Sequence, residues 1–177
     1  MKRYFIVILL VLVLFLVAFL QLALVNSAPY FFSRINLILL VLILALFFFD
    51  FKKVILGALA LGLLIDIFSF RLFGCYTLSL FLVVILADFL LANWFTNHSA
   101  YSFLALTFFA TLFYNLELYN FFYLSNFLSE QHFFLGQANF WRGLGLELFW
   151  SLGIIFLFFW LMNLTTTRLK PIFLDKR

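Results

Sequence analysis

Gly62-Leu-Leu-Ile-Asp66-Ile-Phe-Ser-Phe-Arg71-Leu-Phe-Gly74 places an acid, a base and two glycines where an apolar run ends. Charge is expensive near lipid, about 2.5–3.5 kcal/mol for an acid at mid-membrane on the insertion scale. Each charged group therefore needs a partner or a place near the membrane edge. The run before it, 54–65, carries no charge at all. From Val54 to Asp66 a helix rises only ~20 Å, short of a ~30 Å hydrocarbon core. Either 67–70 extends it, or it is a short or broken helix sheltered by its neighbours.

The rest of the chain explains why the setting is lipid. Of 177 residues, 68% are hydrophobic and 10% charged, far from the ~45–50% and ~25% of a soluble domain. Apolar stretches long enough to cross a bilayer recur from end to end. No segment is polar enough to form a separate soluble domain, so 1–177 reads as one polytopic membrane domain. The net charge is +4, but the basic residues flank apolar segments, which points to membrane topology rather than nucleic acid. The single cysteine, Cys75, has no disulfide partner and reads as a buried thiol. Thirty phenylalanines are spread over every segment, which favours a compositional origin over an aromatic ligand cage.

Turn signals divide the chain into six predicted helices, about 4–25, 30–49, 54–70, 76–95, 101–124 and 144–164, with a polar tail at 165–177. The first run exceeds the ~7–15 residues of a signal-peptide core, and Pro29 would hinder cleavage after Ala28, so it reads as an uncleaved helix. Pro29 also suits the first turn of the second helix, with Arg34 near enough to its end to snorkel. Asp50-Phe51-Lys52-Lys53 reads as a tight polar turn. With the N terminus in the cytoplasm, the inner side holds Lys2, Arg3, Lys52, Lys53, Arg168, Lys170, Lys176 and Arg177. The outer side holds Arg34, Arg71 and Arg142. That bias needs an even number of helices and puts both termini in the cytoplasm. The long outer connection at 125–142 pairs Phe127 with Phe134 and Leu128 with Leu135, each seven apart. It is either an interfacial helix or an aromatic loop at headgroup depth.

Within this topology Asp66, Glu117 and Glu147 fall toward the outer side, level with Arg71 and Arg142. Three acids and two arginines there form a plausible network. Asp88 lies in the inner half of the fourth helix without an obvious partner. The set is read as structural or partner-binding, because transporters place their polar groups nearer the midplane. Ala58 and Gly62, four apart, permit close helix approach. His98 and His132 fall on opposite sides as loop residues. No Gly-x-Ser-x-Gly elbow, His-Glu-x-x-His or phosphate-cradling loop occurs, so neither an enzyme nor a cofactor is expected.

The Gly62–Asp66–Gly74 spacing, followed by Leu78, resembles the hallmark of the rod shape-determining protein MreD family. Length, basic start and six apolar segments agree. The chain differs at Phe70, where a small residue is common, and at Arg34-Ile35-Asn36, where Pro and Asp often stand. The resemblance implies a multi-pass protein of the bacterial inner membrane, in contact with lipid, that binds the bitopic MreC. It implies action with the MreB filament, a SEDS glycosyltransferase and a penicillin-binding transpeptidase in lateral wall synthesis, with no small-molecule substrate. The family is also similar in fold to the S components of energy-coupling-factor transporters. The alternative reading is therefore a substrate-binding subunit of a vitamin or metal importer.

Overall fold

A computed structural model describes residues 13, 15–25, 29, 32–69, 73–94, 100–128 and 138–166. Every regular element among them is helical. The first, α1, is helical over residues 15–19 and winds into a π-helix over Leu20–Val25. Then come α2 (Leu37–Phe48), α3 (Phe51–Phe68), α4 (Cys75–Asn93), α5 (Ala100–Leu128) and α6 (Ala138–Thr166).

Several boundaries differ from those predicted, each for a local reason. α2 does not begin at Tyr30. Pro29 instead closes a turn, its carbonyl accepting from the Phe32 and Ser33 N–H groups at 2.8 and 3.0 Å. The helix starts after Asn36, whose side chain accepts from the Leu39 N–H at 3.1 Å. At its far end, Phe49 and Asp50 alone separate α2 from α3, both in extended conformation. Lys52 and Lys53 therefore lie inside α3 rather than in a turn. A lysine in the first turn opposes the helix dipole. Asp50 offsets it, 2.7 Å from the Lys53 ammonium, and the hydrogen bond and charge of Lys53 hold the Asp50 carboxyl below its usual value. α3 thus gains residues at its start and continues through Ile67 and Phe68. Eighteen residues rise ~27 Å in one unbroken helix.

α5 and α6 also run past their predicted ends. The connection expected at 125–142 shrinks, because Phe127 and Leu128 belong to α5 and Phe140 and Trp141 to α6. Phe134, Leu135, Arg71, His98 and His132 lie outside the described residues.

The burial pattern is that of a protein whose solvent is apolar. Large rings point outward: Phe73, Phe89, Trp94, Tyr101, Phe149 and Trp160 are all more than half exposed. Ser79, Thr107, Thr111 and Ser151 are buried instead. Each hydroxyl donates to the carbonyl four residues back, at 2.6–2.8 Å, so no polar group among these four goes unpaired. Between them lies an apolar core that includes Ile38, Leu39 and Ile43 of α2, Ala58 and Leu61 of α3, Leu80 and Ala87 of α4, and Phe103 and Leu106 of α5. The most extensive packing is between α3 and α4, followed by α5 with α6 and α4 with α5, while α2 lies against α3, α4 and α5. Among the described residues three helices are long and apolar enough to cross a membrane, over Cys75–Asn93, Tyr101–Leu124 and Phe140–Leu161. α2 is apolar but shorter.

Candidate functional site: a capped helix joint and a polar cleft

The three motif residues meet at one joint between α3 and α4. A Cβ on Gly62 would lie 2.5 Å from Thr77 Cα, so only glycine lets the two backbones approach this closely. Gly74 has φ +97°, the left-handed conformation that turns the chain into α4. Gly74 is the N-cap position and has no side chain to satisfy the free N–H groups of the first turn. Asp66 reaches across from α3 to do so. Its Oδ1 accepts from the Tyr76 N–H at 3.1 Å, and its Oδ2 from the Thr77 N–H at 3.0 Å and the Thr77 hydroxyl at 2.5 Å. Asp66 is 2% exposed, so these bonds are what make its burial tolerable. The Ser69 hydroxyl donates to the Asp66 carbonyl at 3.2 Å and closes the end of α3.

Asp66 is therefore engaged as a cap, and of the expected network of acids and arginines the described members, Asp66, Glu117, Glu147 and Arg142, form no ion pair with one another; Arg71 lies outside the described residues. Arg142 is exposed on α6 and Glu117 is only half-buried on α5. Helix geometry accounts for both. Arg142 is five residues before Glu147, ~140° away around α6, and Glu117 is two residues from Asn115, ~200° away around α5. Neither shares the inward face of its helix. Asp88 is half-buried near the end of α4 opposite to the joint.

Glu147 does face inward, 8% exposed, into a cleft of about 770 Å³ at the end of the bundle that also holds the joint. The cleft gathers the end of α1, the turn before α2, the end of α3, the start of α4, the C-terminal half of α5 and the start of α6. Its carboxylate accepts from Asn36 Nδ2 at 3.4 Å, is hydrogen-bonded by Asn115, and is attracted by Arg34. Asn36 thus caps α2 with its oxygen and ties α6 with its nitrogen, and it also bonds the Tyr114 side chain. Gln21, in the π-helical turn, donates to the Ile35 carbonyl at 3.0 Å and accepts from the Leu37 N–H at 2.8 Å. The Arg34 side chain lies over Gly143, where a Cβ would be 3.0 Å from Nη1 and 3.1 Å from Cζ. Arg34 is therefore a cleft residue and not a snorkelling helix end.

Tyrosines and phenylalanines make the walls. Tyr119 stacks edge-on with Phe140 at 5.2 Å, and Tyr76 with Phe122 at 6.4 Å. Two buried polar atoms have no hydrogen-bond partner among the described residues, the Tyr119 hydroxyl and Trp150 Nε1. Only Tyr119 lines the cleft. Among the described residues no group of three His, Cys, Asp or Glu side chains could hold a metal ion.

Sequence reasoning singled out Glu147 but missed Arg34, Asn36, Tyr114, Asn115 and Tyr119 as its neighbours. A usable signal existed. Asn36 sits just before an uncharged apolar run, the N-cap pattern, and Asn115 is an amide inside a membrane helix. Under an up-and-down topology both fall at the depth of Glu147.

Comparison with protein-family models, with characterised proteins and with solved structures gave no match. Fold and site define the class by themselves: an all-helical membrane protein with a polar cleft at one end of the bundle.

Proposed function

We propose that this chain is a non-enzymatic scaffold of the bacterial cell-wall elongation machinery, similar to MreD. In this reading it crosses the inner membrane six times with both termini in the cytoplasm. It binds an MreC-like bitopic protein and serves the wall synthases and the MreB filament through it. The observation that carries the reading is the fate of the motif. Gly62, Asp66 and Gly74 are all consumed in one helix joint, by close approach, capping and turn. A motif spent on architecture fits a protein whose product is a shaped surface. The test is capture of the tagged full chain from bacterial membranes, followed by identification of what comes with it. An MreC-like protein among the partners supports the scaffold. Its absence, with the chain intact and in the membrane, refutes it.

The cleft favours a second reading, a ligand-binding subunit related to the S components of importers. Its 770 Å³ is within the usual range for small-molecule sites. In that case a vitamin-sized molecule accompanies the purified protein and no MreC-like partner does.

A further inference from the structure

Two charged groups inside the long apolar helices are left over. Glu117 lies within the span Tyr101–Leu124 of α5, and Arg142 within the span Phe140–Leu161 of α6. Among the described residues neither side chain makes a hydrogen bond or an ion pair. Both border the outside of the bundle. Phe149 and Phe156, seven and fourteen residues after Arg142, are 70% and 61% exposed, so the exposed Arg142 heads an outward ridge of α6. Asn120 and Leu124, three and seven residues after Glu117, are exposed too, so the half-buried Glu117 borders the outward face of α5.

The two groups stand at one depth. α5 and α6 run antiparallel, since Tyr119 meets Phe140 while Asn115 bonds Glu147. Glu117 and Arg142 are each two residues from the Tyr119–Phe140 contact, toward the middle of their own helix. Within one chain they turn away from each other. Glu117 is ~200° around α5 from Asn115, and Arg142 is ~140° around α6 from Glu147, the pair that meets across the seam.

Charge facing lipid is expensive, so each group calls for a partner. A phospholipid phosphate would satisfy Arg142 and leave Glu117 unpaired. A basic helix of another protein would do the reverse. A second copy satisfies both, because copies inserted with one orientation carry Arg142 at the depth of their neighbour's Glu117.

We propose that copies of this chain associate side by side in the membrane, with Glu117 of one pairing with Arg142 of the next. The rings along the same ridge, Phe149 and Phe156, pack in that contact, since close packing and polar pairs are what hold helices together in lipid. The inference stands apart from the scaffold reading, because copies can associate whether or not an MreC-like partner binds.

The test co-expresses two full-length copies with different tags, captures one from mild detergent and quantifies the other. Wild-type copies come down together. Glu117→Lys in both copies, or Arg142→Glu in both, sets like charges against each other and lowers recovery of the second copy about tenfold. Glu117→Lys in one copy and Arg142→Glu in the other restore opposite charges, and recovery returns to near the wild-type level. That return also shows the variant chains to be folded. Where a charge reversal lowers the membrane yield, Glu117→Gln and Arg142→Gln replace it; each lowers recovery, and the two together lower it no further than either alone. The proposal is overturned if wild-type copies do not come down together, if either substitution leaves recovery intact, if the mixed pair stays apart with both chains in the membrane, or if the two glutamine variants are additive. An effect of Arg142→Gln without one of Glu117→Gln, accompanied by loss of bound anionic phospholipid in native mass spectrometry, assigns Arg142 to a headgroup and overturns it as well.

Discussion

Asp66→Ala removes the cap that α4 borrows from α3, and the structure sets its cost. Three donors lose their acceptor: the Tyr76 N–H, the Thr77 N–H and the Thr77 hydroxyl. The two on Thr77 are buried, and a buried donor left unpaired costs about 1–3 kcal/mol. The Tyr76 N–H is half-buried at the cleft and recovers a water. Two effects reduce the loss. The Thr77 hydroxyl can turn to the carbonyl of Phe73, as Ser79 does to Cys75 at 2.8 Å, and the buried carboxylate no longer has to be desolvated. The net expectation is a destabilisation of ~2–4 kcal/mol. Unfolding in mixed detergent micelles measures it, and a double-mutant cycle with Thr77→Val isolates its cause. Thr77→Val costs ~1 kcal/mol when Asp66 is present and close to nothing when it is absent, a coupling of ~1 kcal/mol. A loss below ~1 kcal/mol for Asp66→Ala, or additive behaviour within ~0.3 kcal/mol, would refute the capping account.

Gly62→Ala forces α3 and α4 apart, because its Cβ would strike Thr77 Cα and backbone cannot yield; the same unfolding assay should show a loss of ~1–3 kcal/mol. Gly145→Ala, with nothing within 4 Å of the added Cβ, should be neutral or stabilising by up to ~1 kcal/mol. Gly74→Ala meets no neighbour but strains a left-handed residue, and should cost ~1–2 kcal/mol. Asn36→Ala removes the cap of α2 and a donor to Glu147 together, so its loss of ~1–2 kcal/mol should exceed that of Asn93→Ala, whose exposed amide only back-bonds its own helix at 3.0 Å.

Much of the helical order was legible because apolar length is a local property. The stretches that became α4, α5 and α6 announce themselves by composition, and Gly74 announces the turn before α4. Boundaries were less legible where a side chain from elsewhere decides them. Asn36 starts α2 seven residues after Pro29 because Gln21, from another helix, takes the Leu37 N–H. Asp50 lets α3 begin before Lys52, since a charge pair removes the penalty that made those lysines look like a turn. The site was legible in outline only. Glu147 stood out as an acid in lipid, but its expected partners were chosen by depth alone, and depth ignores the angle around a helix.

The order of residues alone makes the chain helical, its solvent largely lipid, and Gly62, Asp66 and Gly74 the marks of a special turn. Those conclusions rest on hydrocarbon content and on backbone conformations that one residue type tolerates. What the acids do depends on how the helices pack. Asp66 caps a neighbouring helix, and Glu147 joins two asparagines and Arg34 in a cleft with Tyr119. A carboxylate takes whatever donors the packed helices bring within 3 Å or so, and those donors are ten to more than a hundred residues away in the chain.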